Sequence, residues 1–243
     1  MAYIGKRIKN IGDKVSYKFP KLKFILKPIY HILFYNRYGR KRRESYLKNA
    51  HETICKFNEC MRENNIEYSL AYGTMLGAIR ERGFIKHDAD LDVFVWADDI
   101  KKNIKTCLEK YGFYLTRSMK VEDGRLGLEE SYDYKSVSID IFYIFKDNTN
   151  KNYICWFRPK DGFPTMPISM SETGGVKALI DYLPFVKTYK LVPFEDMMLP
   201  VFDNAEEMLL ASYGKDYMIP DPSFKPKEIE FKGVKATYSG IGN

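Results

Sequence analysis

Asp88, Asp90 and Asp92 alternate along the segment His-Asp-Ala-Asp-Leu-Asp, which runs straight into Val93, Phe94 and Val95. In an extended strand, residues two apart point the same way, about 6.6 Å from one another. Three carboxylates on one face repel one another unless a cation or a proton intervenes, so few folds tolerate such a strand at the mouth of a core. A second apolar run, residues 137–145 (VSIDIFYIF), is interrupted by a single acid, Asp140, whose burial without a partner is costly. Two neighbouring strands that share inward acids account for all four residues, and a common metal site is the simplest reason for them. Acids that merely face water explain one or two of the first three and leave Asp140 unexplained. A calcium-binding loop is excluded, because it needs Gly at its sixth position and Glu at its twelfth, where this chain has Val93 and Asp99.

Such a cluster suits phosphoryl transfer. Asp90, Asp92 and Asp140 can hold one or two Mg²⁺ ions, with Mn²⁺ as the alternative, through hard oxygen ligands. The third acid can also accept a proton from an attacking hydroxyl. Upstream, Gly73 and Thr74 read as a turn and N-cap opening a helix that ends at Arg82. That start offers backbone N–H groups to a phosphate. Arg80, on the same helix, either reaches that anion in a bidentate way or pairs with an aspartate to hold the loop.

Around these motifs the periodicity predicts a helix over 43–64, with Leu47, Ala50, Ile54, Phe57 and Met61 on its apolar face. Strands are expected at 66–72, 90–95, 113–118, 127–132 and 137–145. Helices are expected at 98–111 and 204–213, the latter with Leu209 and Leu210 inward and Gly214 ending it. Residues 146–193 show too weak a pattern to place elements, and the chain after Pro220 and Pro222 reads as a loose tail. The expected fold class is α+β.

At 243 residues, with 45% hydrophobic and 15% aromatic content, the chain can bury a sizeable core and is not disordered. The charge of +7 is unevenly placed: residues 1–45 carry 13 Lys and Arg against Asp13 and Glu44, a net +11, and the remainder is −4. A body with net negative charge argues against nucleic acid as a partner. The arm itself, with basic residues bracketing Phe24, Leu26 and Tyr35, suits either an anionic membrane interface or an amphipathic helix packed on the body or a partner. Three units follow: a basic arm at 1–45, a catalytic domain at 46–223 and a tail at 224–243. The four cysteines form no CxxC pair, which with only three histidines excludes a zinc or disulfide framework. With no apolar run of about 18 residues and no secretory signal pattern, the expected location is cytoplasmic, peripheral at the inner membrane face.

The wording of residues 72–95, YGTMLGAIRERGFIKHDADLDVFV, resembles the signature of the LicD/fukutin family of phosphotransferases. Ser138-Ile139-Asp140-Ile141-Phe142 resembles that family's later I-D-I-F strand. Phe194-Glu195, Pro200-Val201, Tyr213-Gly214, Asp216-Tyr217 and Pro220 resemble its C-terminal block. The resemblance covers roughly 50–222 and leaves out the basic arm. It implies a nucleotidyltransferase-like mixed β-sheet flanked by helices. It also implies transfer of a phospho-alcohol (phosphocholine, ribitol phosphate or glycerol phosphate) from a CDP-linked donor to a glycan hydroxyl, with release of CMP and with a glycan acceptor that can be lipid-linked. On this resemblance Asp90 and Asp92 are metal ligands and Asp140 is a third ligand or base. Gly73, Thr74, Arg80 and Asp88 fall on the donor-phosphate side. Lys86 and His87 replace the usual Pro and Trp, which places the choice of headgroup near them, and Ala89 replaces a frequent acid. Two other readings fit the residues: a nucleotidyltransferase that moves the NMP, and an inactive membrane-surface binding protein.

Overall fold

A computed structural model describes residues 17–18, 36–186, 188–221 and 223–240. The apolar stretch of the arm, and with it the proposed membrane segment, lies outside the described residues. Helix α1 (Asn36–Glu63) passes straight through position 45, so the end of the arm and the start of the body are one helix. Its inward face carries Tyr46, Ala50, Ile54, Phe57 and Met61, all nearly inaccessible, at the spacing of an amphipathic helix. Leu47, expected on that face, is 61% exposed, and Tyr46 takes its place. Full burial of Ile54 and Phe57 contributes about 1.5–3 kcal/mol each.

The main sheet has the order β1 (Tyr68–Leu70), β2 (Asp90–Trp96), β5 (Val137–Lys146), β4 (Gly127–Tyr134), β3 (Tyr114–Val121) and β10 (Ala236–Gly240). β2 and β5 run parallel and the other neighbours antiparallel. At its far end β5 passes to β6 (Asn152–Arg158), which pairs with β7 (Lys177–Tyr182). A two-stranded sheet, β8 (Tyr189–Phe194) with β9 (Met197–Phe202), packs beside β1. Leu91, Val93 and Val95 on β2 and Ile139 and Ile141 on β5 are fully buried, and α1 packs on these two strands. The alternate residues of both strands therefore face the other way, toward helix α2 (Tyr72–Arg80) and helix α5 (Ala205–Tyr213). The result is a mixed sheet flanked by helices, as expected.

Several boundaries differ from the sequence reading, each for a local reason. The strand before α2 is only Tyr68–Leu70, because the helix begins at Tyr72 and Ala71 serves as its N-cap. Thr74 therefore sits inside the helix instead of capping it. The helix expected at 98–111 is broken at Asn103, whose φ of 56° is left-handed, into a 3₁₀ turn (Ala97–Lys102) and α3 (Ile104–Lys110). Leu210 is half exposed on α5, whereas Leu209 is buried. Residues 146–193 hold β6, α4 (Met166–Thr173), β7 and most of β8. The tail is tied down. Ile180 N–H donates to the Ile229 carbonyl at 2.8 Å and Phe231 N–H to the Ala178 carbonyl at 3.0 Å. Beyond them β10 completes the sheet edge against β3.

Candidate active site

The parallel register puts Asp92 directly opposite Asp140, and Asp90 opposite Ser138. The row continues across the sheet, with Asp140 opposite Ser131 on β4 and Ser131 opposite Arg117 on β3. Arg117 enters this row because the register slips between Leu115 and Arg117, a bulge that re-aims the side chain. Its Nη2 lies 2.6 Å from Asp140 Oδ2 and 3.6 Å from Glu129 Oε1, and its Nε donates to Ser131 Oγ at 2.5 Å. Ser138 Oγ donates to the other oxygen of Asp140 at 3.1 Å. From α1, Arg42 Nη2 reaches Asp90 Oδ2 at 2.7 Å.

The β2 strand is anchored to α2 through its main chain. Asp92 N–H donates to Thr74 Oγ1 at 2.8 Å, and Ala71 N–H donates to the Asp92 carbonyl at 2.9 Å. A Cβ on Gly73 would stand 2.9 Å from Asp88 Oδ2, so the glycine is what admits Asp88 to the helix start. Gly77 is held tighter still: a Cβ there would lie 2.4 Å from the Gly83 carbonyl oxygen. The Gly83 turn is pinned in turn by Glu195, which accepts from Phe84 N–H at 3.2 Å and donates its own N–H to the Arg82 carbonyl at 2.8 Å. The Phe-Glu pair at 194–195 thus fixes the loop that delivers the acids.

Burial first, and then the Asp90 charge, pushes the Asp88 carboxyl up to about 6. Asp90 is raised by burial and by Asp140, with Arg42 and Arg117 opposing. Asp92 is raised well above the ordinary range by burial and by Asp90, Asp140 and Asp88. Glu129, behind Arg117, is pushed up to about 8 by burial. Among the described residues no three acids, cysteines or histidines converge as closely as one ion requires. Arg42 and Arg117 instead neutralise Asp90 and Asp140. Asp92 has no side-chain hydrogen bond among the described residues and stands between acids that raise it; Asp90, Asp92 and Asp140 are hard oxygen donors of the type a divalent cation takes, but as they stand they do not converge on one point.

A cavity of about 530 Å³ opens beside Asp92. Gly73, Asp88 and Asp92 line one end, and Tyr72, Phe142, Trp156, Asp181, Tyr213 and Phe224 the rest. Arg80 does not line it: its guanidinium is held by Glu81 at 2.8 Å and by the Tyr217 carbonyl at 3.4 Å, although its charge still pulls Asp88 down. Lys86 and His87 are exposed in the turn before Asp88. The sequence reading did not single out Arg42, Glu129, Arg117 or Asp181. Arg117 was not accessible to it, because the bulge after Leu115 turns Arg117 to the face opposite Leu115, in the row of Ser131 and Asp140.

A profile of the LicD/FKTN/FKRP nucleotidyltransferase domain matches residues 65–204, which contain all four aspartates and the Phe-Glu pair. Among curated proteins the chain is similar to the ribitol-5-phosphate transferase FKTN of Mus musculus, 30% identical over 199 residues, covering 78% of this chain and 38% of that protein. It is also similar to the lipopolysaccharide cholinephosphotransferase LicD of Haemophilus influenzae, 30% identical over 100 residues, covering 35% of this chain and 38% of that protein. An uncharacterized Caenorhabditis elegans protein is 32% identical over 119 residues, covering 45% of this chain and 30% of its own length. The chain thus spans well under half the length of these relatives. The opposed carboxylates of β2 and β5, set beside a cavity and inside the matched segment, are part of a chain that belongs to the LicD/FKTN/FKRP nucleotidyltransferase-domain family, among whose members are phosphocholine and ribitol-phosphate transferases.

Proposed function

We propose that the protein transfers a phospho-alcohol from a CDP-linked donor to a hydroxyl of a cell-surface glycan, free or lipid-linked. The observation that supports this most is the register pairing of Asp92 with Asp140, with Asp92 itself lining the cavity. The acceptor oxygen forms a bond to the phosphorus that carries the alcohol, the bridging oxygen leaves with CMP, and the hydroxyl proton passes to a carboxylate. Asp140 would take that proton, with Arg117 and Ser138 holding its two oxygens. Asp90 and Asp92 would hold Mg²⁺, with Asp140 as the third donor. When bound, that ion neutralises diphosphate charge and polarises the phosphoryl oxygens. Thr74 keeps Asp92 in place, and Asp88 and Gly73 border the donor phosphates, with Arg80 adding positive charge behind them. Lys86 and His87, exposed in the turn that leads into Asp88, would meet the donor from the solvent side.

Incubation with a panel of CDP-alcohols, a glycan acceptor and Mg²⁺ tests the reading through CMP release. Release of the alcohol phosphate with the nucleotide left on the acceptor would make the protein a nucleotidyltransferase, and no turnover of any CDP-alcohol would sink the transfer. Among the described residues no helix is long and apolar enough to cross a membrane. The net +11 of residues 1–45 supports peripheral contact with an anionic lipid surface. Deleting residues 1–35 should release the protein from anionic vesicles, and unchanged vesicle binding would refute that contact.

A further inference from the structure

We propose that Arg42 is a movable diphosphate ligand: it holds Asp90 in the free protein and turns to the donor's diphosphate once a divalent cation takes Asp90. This rests on the transferase reading and adds to it a residue from outside the matched segment 65–204. Arg42 stands on α1, and its Nη2 lies 2.7 Å from Asp90 Oδ2, with both side chains more than a third exposed. The same helix borders the centre again one turn on, where burial and then the charges of Asp88, Asp90 and Asp92 raise the Tyr46 phenol. The N-terminal half of α1 is therefore a wall of the acid centre as well as a support for the sheet.

Arg117 and Arg80 are committed elsewhere. Arg117 is shared by Asp140, Glu129 and Ser131. Arg80, whose side chain is 12% exposed, is held by Glu81 and the Tyr217 carbonyl. Arg42 meets Asp90 at the solvent edge, where an ion pair contributes less than about 1 kcal/mol. A guanidinium and a divalent cation compete for the same carboxylate oxygen, and the cation carries twice the charge. Once displaced, the guanidinium stays near. Asp90 and Asp92 are about 6.6 Å apart along β2, within the sweep of an arginine side chain, and Asp92 lines the cavity. A diphosphate brought there offers Arg42 two oxygens at once, the geometry its planar fork matches. The exchange leaves neither partner uncovered: the cation answers Asp90, and Arg42 answers the phosphate.

The two halves of the exchange move in opposite directions in one variant, measured by calorimetry with Mn²⁺ alone and with CDP in excess Mn²⁺. Arg42→Ala should tighten Mn²⁺ binding by up to about 5-fold, the equivalent of the lost ion pair. It should weaken CDP binding by at least about 10-fold, the loss of a charge-assisted bidentate contact. Arg43→Ala removes the same charge from the next residue and should change neither affinity. Unchanged affinity for either ligand in Arg42→Ala would overturn the proposal. So would a loss of both affinities together, which would make Arg42 a structural prop. Equal CDP losses from Arg42→Ala and Arg43→Ala would also overturn it, because the helix would then act through its general positive field. In each of these cases a wild-type protein that binds CDP keeps the transferase reading. Wild-type protein that does not bind CDP in excess Mn²⁺ fails that reading and the proposal with it. None of these measurements needs turnover.

Discussion

Asp92 and Asp140 face each other across two parallel strands, and Arg117 reaches Asp140 from two strands further along the same row. Adjacent like charges cost folding free energy when buried, and here the sheet offsets only part of that cost. Asp140 is matched by Arg117 and Asp90 by Arg42, while Asp92 is left facing the cavity. That asymmetry leaves Asp92 as the carboxylate of the row with the strongest drive to take up a proton or a cation.

Asp92→Asn should lower kcat/KM for CMP release by at least about 100-fold. The melting temperature of the metal-free protein should hold or rise, because a raised carboxyl is removed from among other acids. Steady-state kinetics and thermal unfolding check the two halves. A large loss of stability would mean that Asp92 is structural.

Glu129 makes the metal-free protein sensitive to pH. Its folded carboxyl titrates near 8 against an ordinary value of 4.5, so between those values the folded form binds more protons than the unfolded. Stability should therefore fall as pH rises through that window. In Glu129→Gln this part of the decline in melting temperature should disappear, and an unchanged slope would remove Glu129 as its source.

Gly77→Ala should destabilise the protein by about 1–3 kcal/mol, since the new Cβ meets the Gly83 backbone oxygen at 2.4 Å. The displaced turn carries Asp88, so activity should fall as well. Denaturant unfolding with parallel kinetics measures both.

Removing Arg117 leaves the buried Asp140 carboxylate without its counter-charge. Arg117→Ala should cost about 3–5 kcal/mol, the usual range when one partner of a largely buried ion pair is lost. Arg42→Ala, at a pair more than a third exposed, should cost less than about 1 kcal/mol. It should also tighten Mn²⁺ binding in calorimetry, because a competing cation at Asp90 is gone. Unchanged Mn²⁺ affinity would show that Arg42 and the ion do not compete.

Much of the site was legible along the chain. The alternation of Asp88, Asp90 and Asp92 and the lone acid in 137–145 marked the two acidic strands, and the helix before them was expected within two residues of its end. Local spacing carries that information because a strand repeats every two residues and a helix every 3.6. The tail was misread because Pro220 and Pro222 break regular structure locally, whereas the strand at Ala236–Gly240 exists through pairing with β3. Leu47 and Tyr46 are adjacent on α1, and which of them turns inward depends on the surface beneath the helix.

The sequence by itself determined the carboxylates and the strands that bear them, which follow from residue type and short-range period, and its motif wording carried the resemblance to the LicD/fukutin family. Only the tertiary structure decided that Asp92 lies opposite Asp140, that a bulge aims Arg117 at them, and that Arg42 and Asp181 belong to the same neighbourhood. Those relations span 23 to 109 residues of chain in the contacts of Arg117 with Asp140 and Tyr72 with Asp181. No local preference encodes them. They are set by which strands pair and in what register, and that is fixed only when the whole core closes.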